Sequence, residues 1–314
     1  MRSSVSLLRR LPAVSILLLS LALILSGCGG AAPTQAPTVR TPVRVVVTTM
    51  QLADFTRVIA GDSVTIEVMM KEGINHHTYE PTVRDIKLLK DADVVIINGV
   101  GLDSWIEDLL RTSGSNATLI TSSTGIKTRD LLHSDHVHEG GDPHIWHDTE
   151  NAKLMVTNIA AGLSQVVPAQ QATYSANAAA YHQQIDQLTS EIRTMFTPIP
   201  RERRTIVTSH EAFGYFARQF ELTMVGTITI ASDSTEPSQQ QILALVDNIK
   251  KRKVTAIFTE TTIDPRLAEQ VAAEANVPLF RGLYSDSMSA PGGGADTYLT
   301  MMRHNARTIA DGLK

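Results

Sequence analysis

Short runs of β-branched and apolar residues alternate with longer helix-like stretches, and the alternation occurs twice, once on each side of a single long helical stripe. That rhythm constrains the fold more than any other feature of the chain. In the first half the apolar runs are Val43–Thr48, Val64–Met70, Val94–Asn98 and Thr118–Thr121, with helical segments Thr82–Lys90 and Asp103–Arg111 between them. In the second half Thr205–Thr208, Met224–Ile230, Val254–Thr259 and Pro278–Arg281 read as strands. Ser238–Lys250 and Pro265–Ala275 read as helices, and Thr297–Leu313 as a closing helix. Such alternation marks a parallel sheet covered by helices. Between the halves, Tyr174, Ala178, Tyr181, Ile185, Leu188, Ile192 and Met195 are spaced alternately four and three. This is one continuous stripe on a helix over Gln170–Phe196, which Pro198 and Pro200 end. At about 1.5 Å per residue it forms a rod of roughly 40 Å. The expected organisation is an N-terminal α/β lobe over 43–169, a linker helix over 170–197 and a C-terminal α/β lobe over 198–314.

Ahead of the first lobe, Arg2, Arg9 and Arg10 accompany the apolar stretch Leu11–Ser26, the layout of a secretory signal peptide over 1–27. The stretch is short for a full membrane span. It runs into Leu25-Ser26-Gly27-Cys28, which resembles the lipobox of bacterial lipoproteins, whose cysteine becomes the acylated first residue. The expectation is an extracytoplasmic protein, in the periplasm or at the cell surface, anchored to the membrane by lipid on Cys28. Residues 28–42 are small, polar and proline-bearing, and read as a flexible tether. Cys28 is the only cysteine, so the mature protein has neither a disulfide nor a thiolate metal ligand. Its core must therefore supply the stability, and about 290 residues suffice for two lobes. Residues 1–27 carry three of the 28 basic residues and none of the 32 acidic ones. The remainder, 25 against 32, has a net charge of −7. That argues against nucleic acid as a partner and favours cations.

The chemistry concentrates in histidines. His76 and His77 follow the second strand, and His210 comes two residues after the strand Thr205–Thr208. Asp286 follows the strand ending at Arg281. His144 and His147 follow a polar stretch that contains His133, His136 and His138. In open parallel α/β sheets, ligands bind beyond the carboxyl ends of strands, so groups from the two lobes can meet in one cleft. Taken singly, each histidine is more often a surface or core residue than a ligand, and spacing does not show which of them converge.

Resemblance narrows the choice. Asn75-His76-His77-Thr78-Tyr79-Glu80-Pro81 resembles the His-x-Tyr-Glu-Pro signature of the zinc and manganese receptors of bacterial ABC importers. Asp142-Pro143-His144-Ile145-Trp146 is similar to their Asp-Pro-His-x-Trp element. Ser209–Phe216 and Leu283–Ser287 look like their third and fourth ligand loops. The resemblance covers nearly all of 43–314, in order. It implies a metal site of His77, His144, His210 and Asp286, between two similar parallel-sheet α/β lobes joined by a single long helix. It also implies a monomeric receptor that delivers its ion to an ABC permease and ATPase. Three imidazoles and a carboxylate suit Zn2+ in a closed four-coordinate site. Mn2+ is the alternative cargo, although manganese members of the family usually carry a glutamate where this chain has His210. Glu80 and Glu211 are expected to support the ligands or form ion pairs rather than bind metal, and His147 is expected to be an incidental surface histidine. The loop His133–Gly141, with His133, His136 and His138, is expected to form a weaker auxiliary metal site.

Two other functions are weighed against this reading. A zinc hydrolase would use three histidines, a water and Glu211 as base, but Asp286 fills the position that a catalytic zinc keeps open. An adhesin built on this fold would leave no mark in the sequence.

Overall fold

The computed structural model describes residues 42–130, 140–229 and 237–314. The segment 1–27, Cys28, all of the tether but its last residue, and His133, His136 and His138 lie outside the described residues. The chain begins with β1 (Val43–Val47), α1 (Met50–Ala60), β2 (Val64–Val68), α2 (Val83–Asp91), β3 (Val94–Ile97), α3 (Trp105–Ser113) and β4 (Thr118–Thr121). Two antiparallel-stacked helices follow in sequence, α4 (Thr149–Val166) and α5 (Gln171–Phe196). The pattern then recurs with β5 (Thr205–Thr208), α6 (Gly214–Gln219), β6 (Thr223–Thr227), α7 (Gln239–Arg252), β7 (Ile257–Glu260), α8 (Arg266–Ala275), β8 (Leu279–Leu283) and α9 (Tyr298–Leu313).

Each lobe holds a four-stranded parallel sheet, in the orders β2-β1-β3-β4 and β6-β5-β7-β8. The two orders are equivalent: the second strand lies on one side of the first, and the third and fourth on the other. That reversal opens a crevice beyond the carboxyl ends of the first and third strands, where ligands bind in such sheets. β3, Val-Val-Ile-Ile, is buried at all four positions, as expected of a central strand covered on both faces. Capping boxes start three helices: Thr82 with Asp85 at α2, Ser238 with Gln241 at α7, and Thr297 with Thr300 at α9.

Strands and helices read from the sequence fall within a few residues of these bounds, but α1, α4 and α6 are additions to that reading. α1 has a physical reason to escape it. Gln51, Leu52, Ala53, Asp54, Phe55, Thr56, Ile59 and Ala60 are all buried and only Arg57 is exposed, so the helix has little solvated face to set off an apolar stripe.

α5 lays Tyr174, Ala178, Tyr181, Ile185, Leu188, Ile192 and Phe196 against α1 and α4 in the N-terminal lobe and α9 in the C-terminal lobe. One apolar core thus runs from Val45 and Phe55 through this stripe to Phe216, Phe258 and Met302. Full burial of a side chain such as Ile185, Leu188 or Ile192 contributes about 1.5–3 kcal/mol. Separate apolar clusters lie under α2 and α3 and under α7 and α8. At the centre, buried Asp54 of α1 accepts from the Tyr298 backbone N–H of α9 at 2.9 Å and from the Tyr181 hydroxyl of α5 at 3.2 Å. The long helix is therefore welded along its length to both lobes.

Candidate metal centre

Four loops bring single side chains to one point. His77 sits in a 3-10 turn, His76–Thr78, whose start is fixed by the Asn75 side chain accepting from the His77 backbone N–H at 2.9 Å. His144 precedes a second such turn, Ile145–His147. His210 lies two residues beyond β5, where the Thr208 hydroxyl donates to its carbonyl at 2.7 Å. Asp286 lies three residues beyond β8. Its loop is gripped from the N-terminal lobe: Gln51 Nε2 donates to the Asp286 carbonyl at 3.2 Å, and Trp146 Nε1 to the Ser285 carbonyl at 3.1 Å.

The donor atoms of His77, His144, His210 and Asp286 all lie within 4.8 Å of one another. Nε2 of His144 is 3.0 Å from Nε2 of His77 and 3.3 Å from Nε2 of His210. Asp286 Oδ1 is 3.6 Å from the Nε2 atoms of both His144 and His210. A tetrahedral ion with bonds of about 2.0–2.1 Å has donor-to-donor edges of about 3.3 Å, so these separations fit one cation. The 3.6 Å contacts are too long for hydrogen bonds, and the buried Asp286 carboxylate has no hydrogen-bond partner among the described residues. A buried charge left in that state is costly unless a cation meets it. His144, His210 and Asp286 are buried, and only His77 is partly exposed.

Behind the cluster, two carboxylates orient the imidazoles. Asp142 Oδ1 accepts from His144 Nδ1 at 2.8 Å and from the His144 backbone N–H at 3.0 Å. Glu260, the last residue of β7, contacts His210 Nδ1 through one oxygen and accepts the His210 backbone N–H at 3.1 Å through the other. A carboxylate on Nδ1 leaves Nε2 to face an ion. Burial alone would pull the His210 imidazole down, but Glu260 and Asp286 together hold it well above the usual histidine range. Burial would raise Asp286, yet the facing His210 keeps it well below the usual carboxylate range. His77 is pushed far down by burial, with the charges of His144 and His210 adding to the effect.

The four residues singled out by resemblance are thus brought together. Glu211 forms a 3.9 Å ion pair with Arg129, and Glu80 is exposed. His147 corrects the expectation of a surface residue. It is fully buried, its ring 4.6 Å from that of Phe213 and 5.6 Å from that of Trp146, and neither nitrogen has a partner among the described residues. His76 is likewise buried, with its ring 6.1 Å from that of Trp146 and no hydrogen bond to either nitrogen among the described residues, and stands outside the cluster. Asp142 is marked in the sequence by standing two residues before His144. Glu260 is fifty residues from His210, and no local signal joins them.

A family model described as the periplasmic component A of a zinc-uptake complex, ZnuA, matches residues 45–312. The metal ABC transporter substrate-binding lipoprotein ScbA of Streptococcus cristatus is 32% identical over 279 residues, 86% of this chain and 89% of that protein. The manganese-binding lipoprotein MntA of Halalkalibacterium halodurans is 33% identical over 299 residues, 95% of this chain and 97% of its own length. The solved structure of the periplasmic zinc binding protein TroA from Treponema pallidum matches with a TM-score of 0.79 at 29% identity, covering 86% of this chain and 99% of that one.

Proposed function

Since this chain belongs to the ZnuA family of metal-binding, substrate-binding lipoproteins of ABC transporters, which are receptors and not enzymes, we propose that it captures Zn2+ outside the cytoplasm and passes it to its importer's permease. His77, His144, His210 and Asp286 are the ligands in this reading, and lipid on Cys28 is the anchor, joined to the lobes by the tether 28–42. The observation that carries it is the set of three imidazole nitrogens and one buried carboxylate without a hydrogen bond among the described residues, all at ion-sized separations.

Relatives bear the names of both manganese and zinc proteins, so the choice of cargo rests on the donors. Nitrogen-rich sites favour zinc, and manganese stands at the bottom of the affinity order for divalent ions. Zinc is expected to displace manganese by a wide margin at equal free concentrations in a competition titration. A strain lacking the gene should be rescued from chelator stress by low zinc. Rescue by manganese alone would transfer the assignment to Mn2+ and leave the ligands as they are.

The electrostatics add a second expectation. Glu260 and Asp286 raise the His210 imidazole above the usual histidine range and so favour its protonated form in the metal-free site. An arriving cation competes with that proton, so binding is expected to release protons near neutral pH. Affinity should already fall as pH drops through the neutral range, above the roughly pH 6.5 at which a free imidazole titrates. Calorimetry of zinc binding in buffers of different ionisation enthalpy reads the proton count. A heat independent of buffer would mean that His210 is neutral before the metal arrives.

A further inference from the structure

Arg129 lies beyond β4, largely buried, and reaches both sides of the metal centre. Its Nη1 donates to Asp142 Oδ2 at 2.7 Å, while the other oxygen of Asp142 holds His144. Its Nη2 is 3.9 Å from Glu211, the residue after His210. Its guanidinium carbon lies 5.7 Å from the centre of the Tyr215 ring, on α6 of the C-terminal lobe. The backbone repeats the link. Arg129 N–H donates to the Tyr215 hydroxyl at 3.1 Å, that hydroxyl donates to the Asp142 carbonyl at 3.1 Å, and Asp142 N–H donates to the Arg129 carbonyl at 2.7 Å. The seat is shaped for this side chain: a Cβ on Gly214 would stand 1.6 Å from Arg129 Nη1.

We propose that Arg129 is a positioning residue of the metal centre, a latch that ties the loop bearing His144 to the loop bearing His210 and so sets how fast a bound ion escapes. The proposal rests on the ligand assignment above. With both lobes fixed to α5, an ion leaves by separation of loops rather than of lobes, and the loops of His144 and His210 cannot part without drawing Tyr215 off the Arg129 guanidinium and Glu211 out of its ion pair. The shape of the guanidinium matters as well as its charge. A lysine can pair with Asp142 but has no planar group to lie over Tyr215 while a second nitrogen faces Glu211.

The test is the rate of zinc release to excess chelator, measured on the full chain. Arg129→Ala is expected to accelerate release roughly 10–100-fold, the usual cost of removing a group that orients a ligand. Arg129→Lys should recover part of the loss. Gly214→Ala should accelerate release too, by pushing the guanidinium out. In the Arg129→Ala background Gly214→Ala should add nothing, because the clash is gone. The visible spectrum of bound Co2+ should change in Arg129→Ala, a readout that a merely structural role would leave unmoved. His144→Ala is the control. If it loses binding while Arg129→Ala releases zinc within twofold of the parent rate, the latch is wrong and the ligand assignment stands. If His144→Ala binds like the parent, the ligand assignment fails and the latch falls with it. An equal effect of Gly214→Ala with and without Arg129 would also overturn the latch.

Discussion

Replacing His144 by alanine is expected to lower zinc affinity by about three orders of magnitude and to abolish nearly all of the stabilisation that zinc confers. His144 is the hub of the donor set, 3.0 Å from His77, 3.3 Å from His210 and 3.6 Å from Asp286. Asp142 fixes the ring from behind. Its loss removes one nitrogen and leaves the remaining donors around a gap that water must fill. A ligand present at about 1,000 times its dissociation constant stabilises the native state by about 4 kcal/mol. A thousand-fold weaker site retains about 0.4 kcal/mol under the same conditions. In a domain of this size the difference corresponds to a melting shift of about 7 °C. Competition against a chromophoric chelator gives the affinity, and scanning calorimetry with and without zinc gives the shift. Parental affinity in this variant would remove His144 from the ligand set.

The metal-free protein is expected to lose about 4 kcal/mol of stability between pH 7.5 and pH 5 through His76 and His147 alone, about 2 kcal/mol each. Burial depresses His76 to about 4 and His147 to about 3. Both rings stay neutral in the fold across this interval, while in the unfolded chain they charge near pH 6.5. For a depressed histidine the stabilisation is present above the unfolded value and is lost as the pH falls below it. His210 has the opposite sign: its stabilisation is complete below the unfolded value and is lost as the pH rises through the raised one. Burial also pushes Asp54 and Asp103 up, and their uptake of protons in the fold opposes the histidines. The measurement is therefore a comparison. His147→Phe keeps a ring between Phe213 and Trp146 but cannot titrate, and should flatten the pH dependence of the unfolding free energy by about 2 kcal/mol over this interval. An unchanged pH profile would mean that His147 takes up its proton inside the fold.

The parts of the molecule visible in the sequence are those with a local cause. β3 is a run of four β-branched residues, α5 carries its stripe at alternating spacing, and Ser238 and Thr297 announce helices by their own side chains. Each of the four clustered residues stands in a short motif or close behind a strand. What stayed hidden depends on groups far apart in the chain. Glu260 meets His210 only because β5 and β7 are neighbours. The burial of His147 depends on Phe213 arriving from the other lobe. Arg129 is an unremarked arginine until Asp142, Glu211 and Gly214 surround it. α1 is concealed by its own burial, since Gln51 and Asp54 break the apolar pattern while facing partners more than a hundred residues away.

The hydrogen bond from Tyr298 to Asp54 ties an early helix to a late one. If the chain is exported unfolded behind the expected signal, α1 emerges long before α9, and Asp54 waits without the N–H that donates to it in the finished protein. The N-terminal lobe could form its sheet early, but the core beneath α5 would stay open until the last helix arrived. Asp286 is also a late arrival, since it follows both sheets in the chain. Completion of the fold and competence to take up an ion are therefore expected to coincide, so that a partly translocated receptor presents histidines without the carboxylate that closes the site.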